Sequence, residues 1–142
     1  MIPRVVIGGL AVPVDIVRAM LSGRWVLPSA GVSVNIGNGS GSVRVKALYS
    51  LDSMLIENAP WWGSGNEERS LYGAHGSDAA GGIRIRPELS LLIGDAGYDE
   101  PLALDYSGDS EDPRVLYLPP GLDEWVCVAP GVPDLLRMLG VR

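Results

Sequence analysis

The sequence predicts an α+β domain: a mostly antiparallel sheet of four to six strands flanked by helices. Three observations carry this. Between residues 83 and 128 short apolar or alternating segments recur at spacings of about ten residues, the rhythm of neighbouring antiparallel strands. Helix signatures led by proline stand near both ends of the chain, at Pro13 and Pro133. Glycine (19) and proline (11) make up about a fifth of the 142 residues, which favours short elements joined by many turns. The length fits one domain over 1–142, and 46% apolar with 20% charged residues is the balance of a chain that folds around a core.

The first helix is expected from Pro13 at its first position, Asp15 in its first turn and Val14, Val17, Met20 and Leu21 at helical spacing, with Gly23 closing it. Segments 32–36 and 43–47 alternate with period two around the turn chemistry of Gly37-Asn38-Gly39-Ser40-Gly41, so they read as a β-hairpin. Ser50 caps a short helix running to Asn58, with Asp52 in its first turn and Pro60 as its stop. Residues 63–82 are rich in Gly, Ser and Ala without a period and read as a long loop or irregular crossover. Strands follow at 83–86, 89–93, 102–106, 115–118 and 125–128. The last helix has Pro133 at its start, Asp134 in its first turn, Leu135, Leu136 and Leu139 as its apolar face, and Gly140 as its cap.

Segment 5–14 is largely apolar after Arg4, as a signal-peptide core would be. Gly8, Gly9 and Pro13 interrupt it, Asp15 follows, and there is no small-residue cleavage site. No stretch approaches the ~20 apolar residues of a membrane span. A single cysteine, Cys127, cannot form an internal disulfide, which fits a reducing compartment. A cytoplasmic protein is expected, with no membrane partner.

The net charge of −6 is unevenly placed. Residues 1–94 carry eight Lys/Arg against seven Asp/Glu, whereas 95–142 carry three against ten. Such a field repels nucleic-acid backbones and steers basic proteins. Asp95, Asp99, Glu100, Asp105, Asp109, Glu111 and Asp112 follow one another with no Lys or Arg until Arg114. The 105–112 segment lacks the residue order of an EF-hand loop, so the choice lies between a solvated loop face and a docking surface for a basic protein. We take Asp99, Glu100, Asp109, Glu111 and Asp112 as candidate partner-binding residues.

The other motifs favour structural roles. The glycine run at 37–41 is followed by a strand pattern, whereas phosphate loops need a helix N-terminus there. His75, the only histidine, lies between glycine-flanked neighbours in Ala74-His75-Gly76-Ser77-Asp78, where Ser, His and Asp seldom converge into a triad. One His and one distant Cys do not make a zinc site. Cys127 alternates with valines and reads as a small buried apolar residue. No metal, nucleotide or other cofactor is expected. Trp125 reads as a core residue packed against the last helix. The adjacent Trp61 and Trp62 cannot share one face if extended, so one of them is expected outside as an interface anchor.

Residues 45–140 resemble the SUKH superfamily, the Smi/Knr-type proteins. The resemblance rests on Pro87-Glu88-Leu89, Leu92-Ile93-Gly94-Asp95-Ala96-Gly97, Pro101-Leu102-Ala103-Leu104-Asp105, Pro113-Arg114-Val115-Leu116-Tyr117-Leu118 and Trp125-Val126-Cys127-Val128-Ala129, in that order and spacing. Ala47-Leu48-Tyr49-Ser50-Leu51-Asp52-Ser53-Met54-Leu55 is similar to the family's strand and following helix. The resemblance implies an α+β fold without catalytic residues. It implies further a bacterial immunity protein that neutralises a toxin, often a nuclease, by direct binding. The readings kept beside this are an intracellular scaffold or regulator with the same fold and a small carboxylate-based hydrolase.

Overall fold

The computed structural model describes residues 2–36, 41–63, 83, 85–120 and 124–141. The expected loop at 63–82, except its first residue, and His75 within it, lie outside the described residues, as do residues 37–40 of the expected hairpin turn. In chain order the described elements are β1 (Val6–Ile7), β2 (Leu10–Ala11), α1 (Val14–Leu21), β3 (Val32–Asn35), β4 (Ser42–Val45), β5 (Ala47–Leu48), α2 (Leu51–Trp62), a 3-10 turn at Pro87–Leu89, β6 (Ser90–Asp95), β7 (Pro101–Asp105), β8 (Arg114–Tyr117), β9 (Val126–Ala129) and α3 (Val132–Leu139). The expected mixed α+β class is what the chain adopts: a five-stranded antiparallel sheet in the order β5-β6-β7-β8-β9, with two separate hairpins. Among the described residues no helix is long and apolar enough to cross a membrane.

The β3–β4 hairpin pairs Val32 with Val45 and Val34 with Val43, as the alternation predicts. The β1–β2 hairpin is unanticipated. Its turn is Gly8-Gly9, both at positive φ (59° and 82°), the conformation a two-residue primed turn requires. A side chain at Gly8 is excluded twice over, because a Cβ there would lie 2.5 Å from the Trp62 ring. In α1 the buried side chains are Ile16, Val17 and Ala19, while Val14 and Leu21, assigned to the inner face from spacing, are exposed.

The five-stranded sheet is covered on both faces, and its alternating residues feed two cores. Leu91, Ile93, Leu102, Leu104, Val115 and Tyr117 pack with α1, α3 and both hairpins. Leu92, Ala103, Leu116 and Leu118 face the other way and pack with Trp61, Ile85 and Trp125. Trp125 is buried as expected, yet it does not lie with Leu135, Leu136 and Leu139 of α3, which belong to the first core. Its ring meets Trp61 at 6.1 Å and its backbone bridges Ile83. Parity explains the difference: Trp125 sits just before β9, and a one-residue step changes the face. Cys127 is half-buried with Sγ 3.4 Å from the Ala129 carbonyl.

Helix α2 does not stop before Pro60 but continues through it to Trp62. Proline removes one helical N–H, whose acceptor would be the Ile56 carbonyl on the exposed side of the helix. Four hydrogen bonds between the last turns and the sheet hold the extension. Asn58 accepts from Leu92 N (2.7 Å) through Oδ1 and donates to Leu92 O (2.9 Å) and Met54 O (2.8 Å). Trp61 Nε1 donates to Ser90 Oγ at 2.8 Å and Trp62 Nε1 to Ser90 O at 3.0 Å.

Asn58→Leu keeps the branching at Cγ but orphans both Leu92 backbone groups. At about 1–3 kcal/mol for each buried unsatisfied group, urea unfolding should show a loss of at least ~2 kcal/mol. Leu55→Ala on the exposed side of the same helix should change little, within about 0.5 kcal/mol. Trp125→Ala should cost about 3–5 kcal/mol, the range for deleting a large core aromatic; an unchanged melting temperature contradicts its burial.

Candidate functional site

The turn between β6 and β7 is closed by Ala96 N donating to Glu100 O (3.0 Å) and Glu100 N to Gly97 O (3.2 Å). Gly97 (φ 144°) and Asp99 (φ 58°) take left-handed backbone, which aspartate tolerates better than most residues. This places Tyr98 at the tip, 93% exposed. Around the turn, Asp95 accepts from Tyr49 OH at 2.9 Å, and Glu100 accepts from Tyr117 OH at 2.8 Å. Glu57 arrives from α2. Together Glu57, Asp95, Asp99 and Glu100 line, with Tyr49 and Tyr98, a depression of about 240 Å³. No Lys or Arg is among its described lining residues.

The second group of expected carboxylates lies elsewhere. Asp109, Glu111 and Asp112 occupy the β7–β8 connection and are exposed. Asp109 Oδ1 accepts from the backbone N–H of Glu111 (2.9 Å) and Asp112 (3.3 Å), an aspartate turn that shapes its own loop. Asp112 rests against Gly131 at the head of α3, where its charge suits the helix dipole. Asp99 and Glu100 precede β7 while Asp109, Glu111 and Asp112 follow it. The five residues of that strand separate the groups by roughly 13 Å or more. The acidic stretch is therefore two surfaces, not one. Asp105 belongs to neither: it is buried, accepts from Arg114 Nε at 2.7 Å and Ser107 N at 3.0 Å, and is neutralised inside the fold.

The tryptophan expectation is also corrected. Trp61 and Trp62 are helical, so both can face the body of the protein. Trp61 is inaccessible and Trp62 is half-buried over Gly8, so neither projects as an anchor. Among the described residues the exposed aromatic is Tyr98, which the sequence reading passed over although it stands between Gly97 and Asp99 in a turn. Glu57 and Tyr49 were invisible as site residues because only the return of α2 along β6, for Glu57, and the pairing of β5 with β6, for Tyr49, bring them to the turn.

Among the described residues, no set of three or more His, Cys, Asp and Glu side chains is placed to hold a metal ion. The glycine run at 37–41 leads into strand β4, not into a helix. No family model, curated protein or solved structure matches the chain.

Burial pushes the phenols of Tyr106 and Tyr117 above the ordinary tyrosine value, and for Tyr117 the hydrogen bond to Glu100 and its charge add to the shift. Both stay protonated in the native state at a pH where the unfolded chain ionises them, above about 10. The unfolded state then holds fewer protons, so stability should be insensitive to these groups below that pH and fall as pH rises above it. Denaturation followed between about pH 9 and 11 should show this fall, with a shallower slope for Tyr117→Phe.

Proposed function

We propose that the chain is a non-catalytic protein-binding domain of the SUKH type, an immunity protein that neutralises a basic toxin domain in the cytoplasm by direct binding. The observation that carries this reading is the depression at the β6–β7 turn: four carboxylates, no Lys or Arg among its described lining residues, and an almost fully exposed tyrosine beside them. The antiparallel five-stranded sheet with flanking helices is compatible with the family resemblance.

Carboxylates gathered in a concave site focus the potential and raise the local concentration of a basic partner. A Lys or Arg entering the depression gains charge-assisted hydrogen bonds and can lie against the Tyr98 ring. A nuclease presents cations where it holds its phosphate substrate, so a protein that occupies those cations blocks the substrate.

The test is co-expression with the toxin encoded beside the gene, scoring survival and co-purification. Wild type should protect. The double variant Glu57→Gln/Asp99→Asn, which removes two charges and leaves the tyrosine partners of Asp95 and Glu100 unaltered, should associate about tenfold more slowly at low salt. The difference should shrink towards 1 M salt, where the Debye length falls to about 3 Å. Survival equal to an empty vector rejects the immunity reading.

A further inference from the structure

Helices α1 and α3 pack on the same face of the main sheet and touch each other. Both end in the same way. Gly23 and Gly140 take left-handed backbone (φ 74° and 71°), and the residue after each glycine returns its N–H to the helix: Arg24 N to Ala19 O at 2.8 Å and Val141 N to Leu136 O at 3.1 Å. The two caps therefore fold Arg24 and Val141 back beside Ala19 and Leu136. Between the helices this leaves a cavity of about 280 Å³, whose lining includes those four residues and the α1 residues Asp15 and Arg18.

The cavity is divided by chemistry. Ala19, Leu136 and Val141 are buried and give it an apolar floor. Its polar side holds the pair Arg18–Asp15, in which Arg18 Nη1 donates to Asp15 Oδ1 at 2.8 Å, and the exposed Arg24. Among the described residues the Arg24 guanidinium has no hydrogen-bond or ion-pair partner. A cation just past the end of α1 suits the helix dipole, which accounts for the charge but not for the apolar hollow beside it. An apolar concavity with a few convergent polar groups is the form of a small-molecule site.

We propose that this cavity binds a small organic monocarboxylate, with the carboxylate on Arg24 and the apolar body on Ala19, Leu136 and Val141. Three properties select that class. A guanidinium offers a carboxylate two parallel N–H groups, and it is weakly hydrated enough to give up water for that contact. Two arginines against one aspartate leave the lining with a single positive charge to match, whereas an inorganic phosphate would hold further charge over an apolar floor. At ~30 Å³ for a water's share of liquid, the cavity is worth about nine waters, which suits a ligand with that many non-hydrogen atoms or fewer. The site is separate from the β6–β7 depression and does not rest on the protein-binding reading.

The test is titration of the isotope-labelled full chain, followed through its backbone amide resonances, with hexanoate, with the neutral hexanamide and with inorganic phosphate. Hexanoate should bind with a Kd of about 1 mM or tighter and shift amides within 15–24 and 133–141. Hexanamide and phosphate should each bind at least tenfold more weakly. Arg24→Gln should weaken hexanoate at least tenfold while leaving hexanamide within twofold, a split that a merely structural role for Arg24 does not produce. The variant should melt with the wild type, since the side chain is exposed and unbonded. Arg86→Gln, which removes the same charge outside the cavity lining, should leave hexanoate binding within twofold. Hexanoate that gives no saturable shifts, shifts amides elsewhere, or binds Arg24→Gln as it binds the wild type overturns the site. Phosphate or hexanamide binding as tightly as hexanoate overturns the ligand class. Tenfold tighter binding of acetyl-Gly-Leu with a free carboxyl end makes a polypeptide C-terminus the occupant and overturns the small-acid assignment.

Discussion

The fold depends on how the chain closes one edge of its main sheet. β6 has six residues, but its neighbour β5 has two, so most of that edge has no strand beside it. An open edge with unpaired N–H and C=O groups invites pairing with other chains. Here α2, which leaves the sheet directly after β5, returns along the edge. The Asn58 amide stands in for the missing strand residue, taking one bond from Leu92 N and giving one to Leu92 O. Its second N–H goes to Met54 O within its own helix, so every polar atom of a fully buried side chain is used. Two residues along the strand, Trp62 serves the Ser90 carbonyl. The spacing works because four helical residues rise ~6 Å and two strand residues ~6.6 Å. Aspartate at 58 could not donate the two bonds, and an apolar residue could make none.

That arrangement decides where a binding surface can form. With the last turns of α2 against the edge, Trp61 enters one core, while the opposite face of the sheet is closed by α1, α3 and the hairpins. β7 is buried along its whole length, including Asp105. Polar chemistry is left to the two ends of the strands. At one end, the β6–β7 turn meets Glu57 from the edge-closing helix and becomes concave; at the other, the 106–113 loop is tied to itself through Asp109. A concave acidic site holds a partner's cation on several sides, which a convex loop cannot do.

The legibility of the sequence divides along the range of the interactions. The β3–β4 pairing, strands β6 to β9 of the main sheet and helix α3 were readable because period, caps and turn residues all lie within the element itself, whereas β5 was read as the end of the hairpin strand and, of the strand expected at 83–86, the described residues show only an isolated bridge at Ile83. The Gly8-Gly9 hairpin had its local signal, a pair of glycines between apolar residues, and was obscured by being read within one apolar segment. Pro60 misled because its effect was judged from the helix alone, whereas the bonds from Asn58, Trp61 and Trp62 to β6 decide where the helix ends. Trp125 was readable as buried but not as to face, since near a strand end one residue of register reverses the assignment. At the site, Asp99 and Glu100 stood out as members of an acidic stretch. Their separation from Asp109, Glu111 and Asp112 required knowing that a strand lies between them, and Glu57 required knowing where α2 returns.

The way α2 is fastened also accounts for the surplus of apolar surface on its outer side. A helix held to its domain by a hydrophobic stripe must spend most of its large apolar residues on that contact, leaving polar ones for water. α2 is attached differently: Asn58 and both tryptophans hydrogen-bond to β6, and the buried Trp61 ring supplies apolar area by itself. Each such bond contributes only about 1 kcal/mol net, yet breaking one strands a buried backbone group and costs more, so the attachment is specific as well as sufficient. Leu55 and Ile56 are then not needed for folding. They stay exposed beside a depression in which Asp95 and Glu100 are held in place by Tyr49 and Tyr117, and the interaction that closes the sheet positions the helix that carries them.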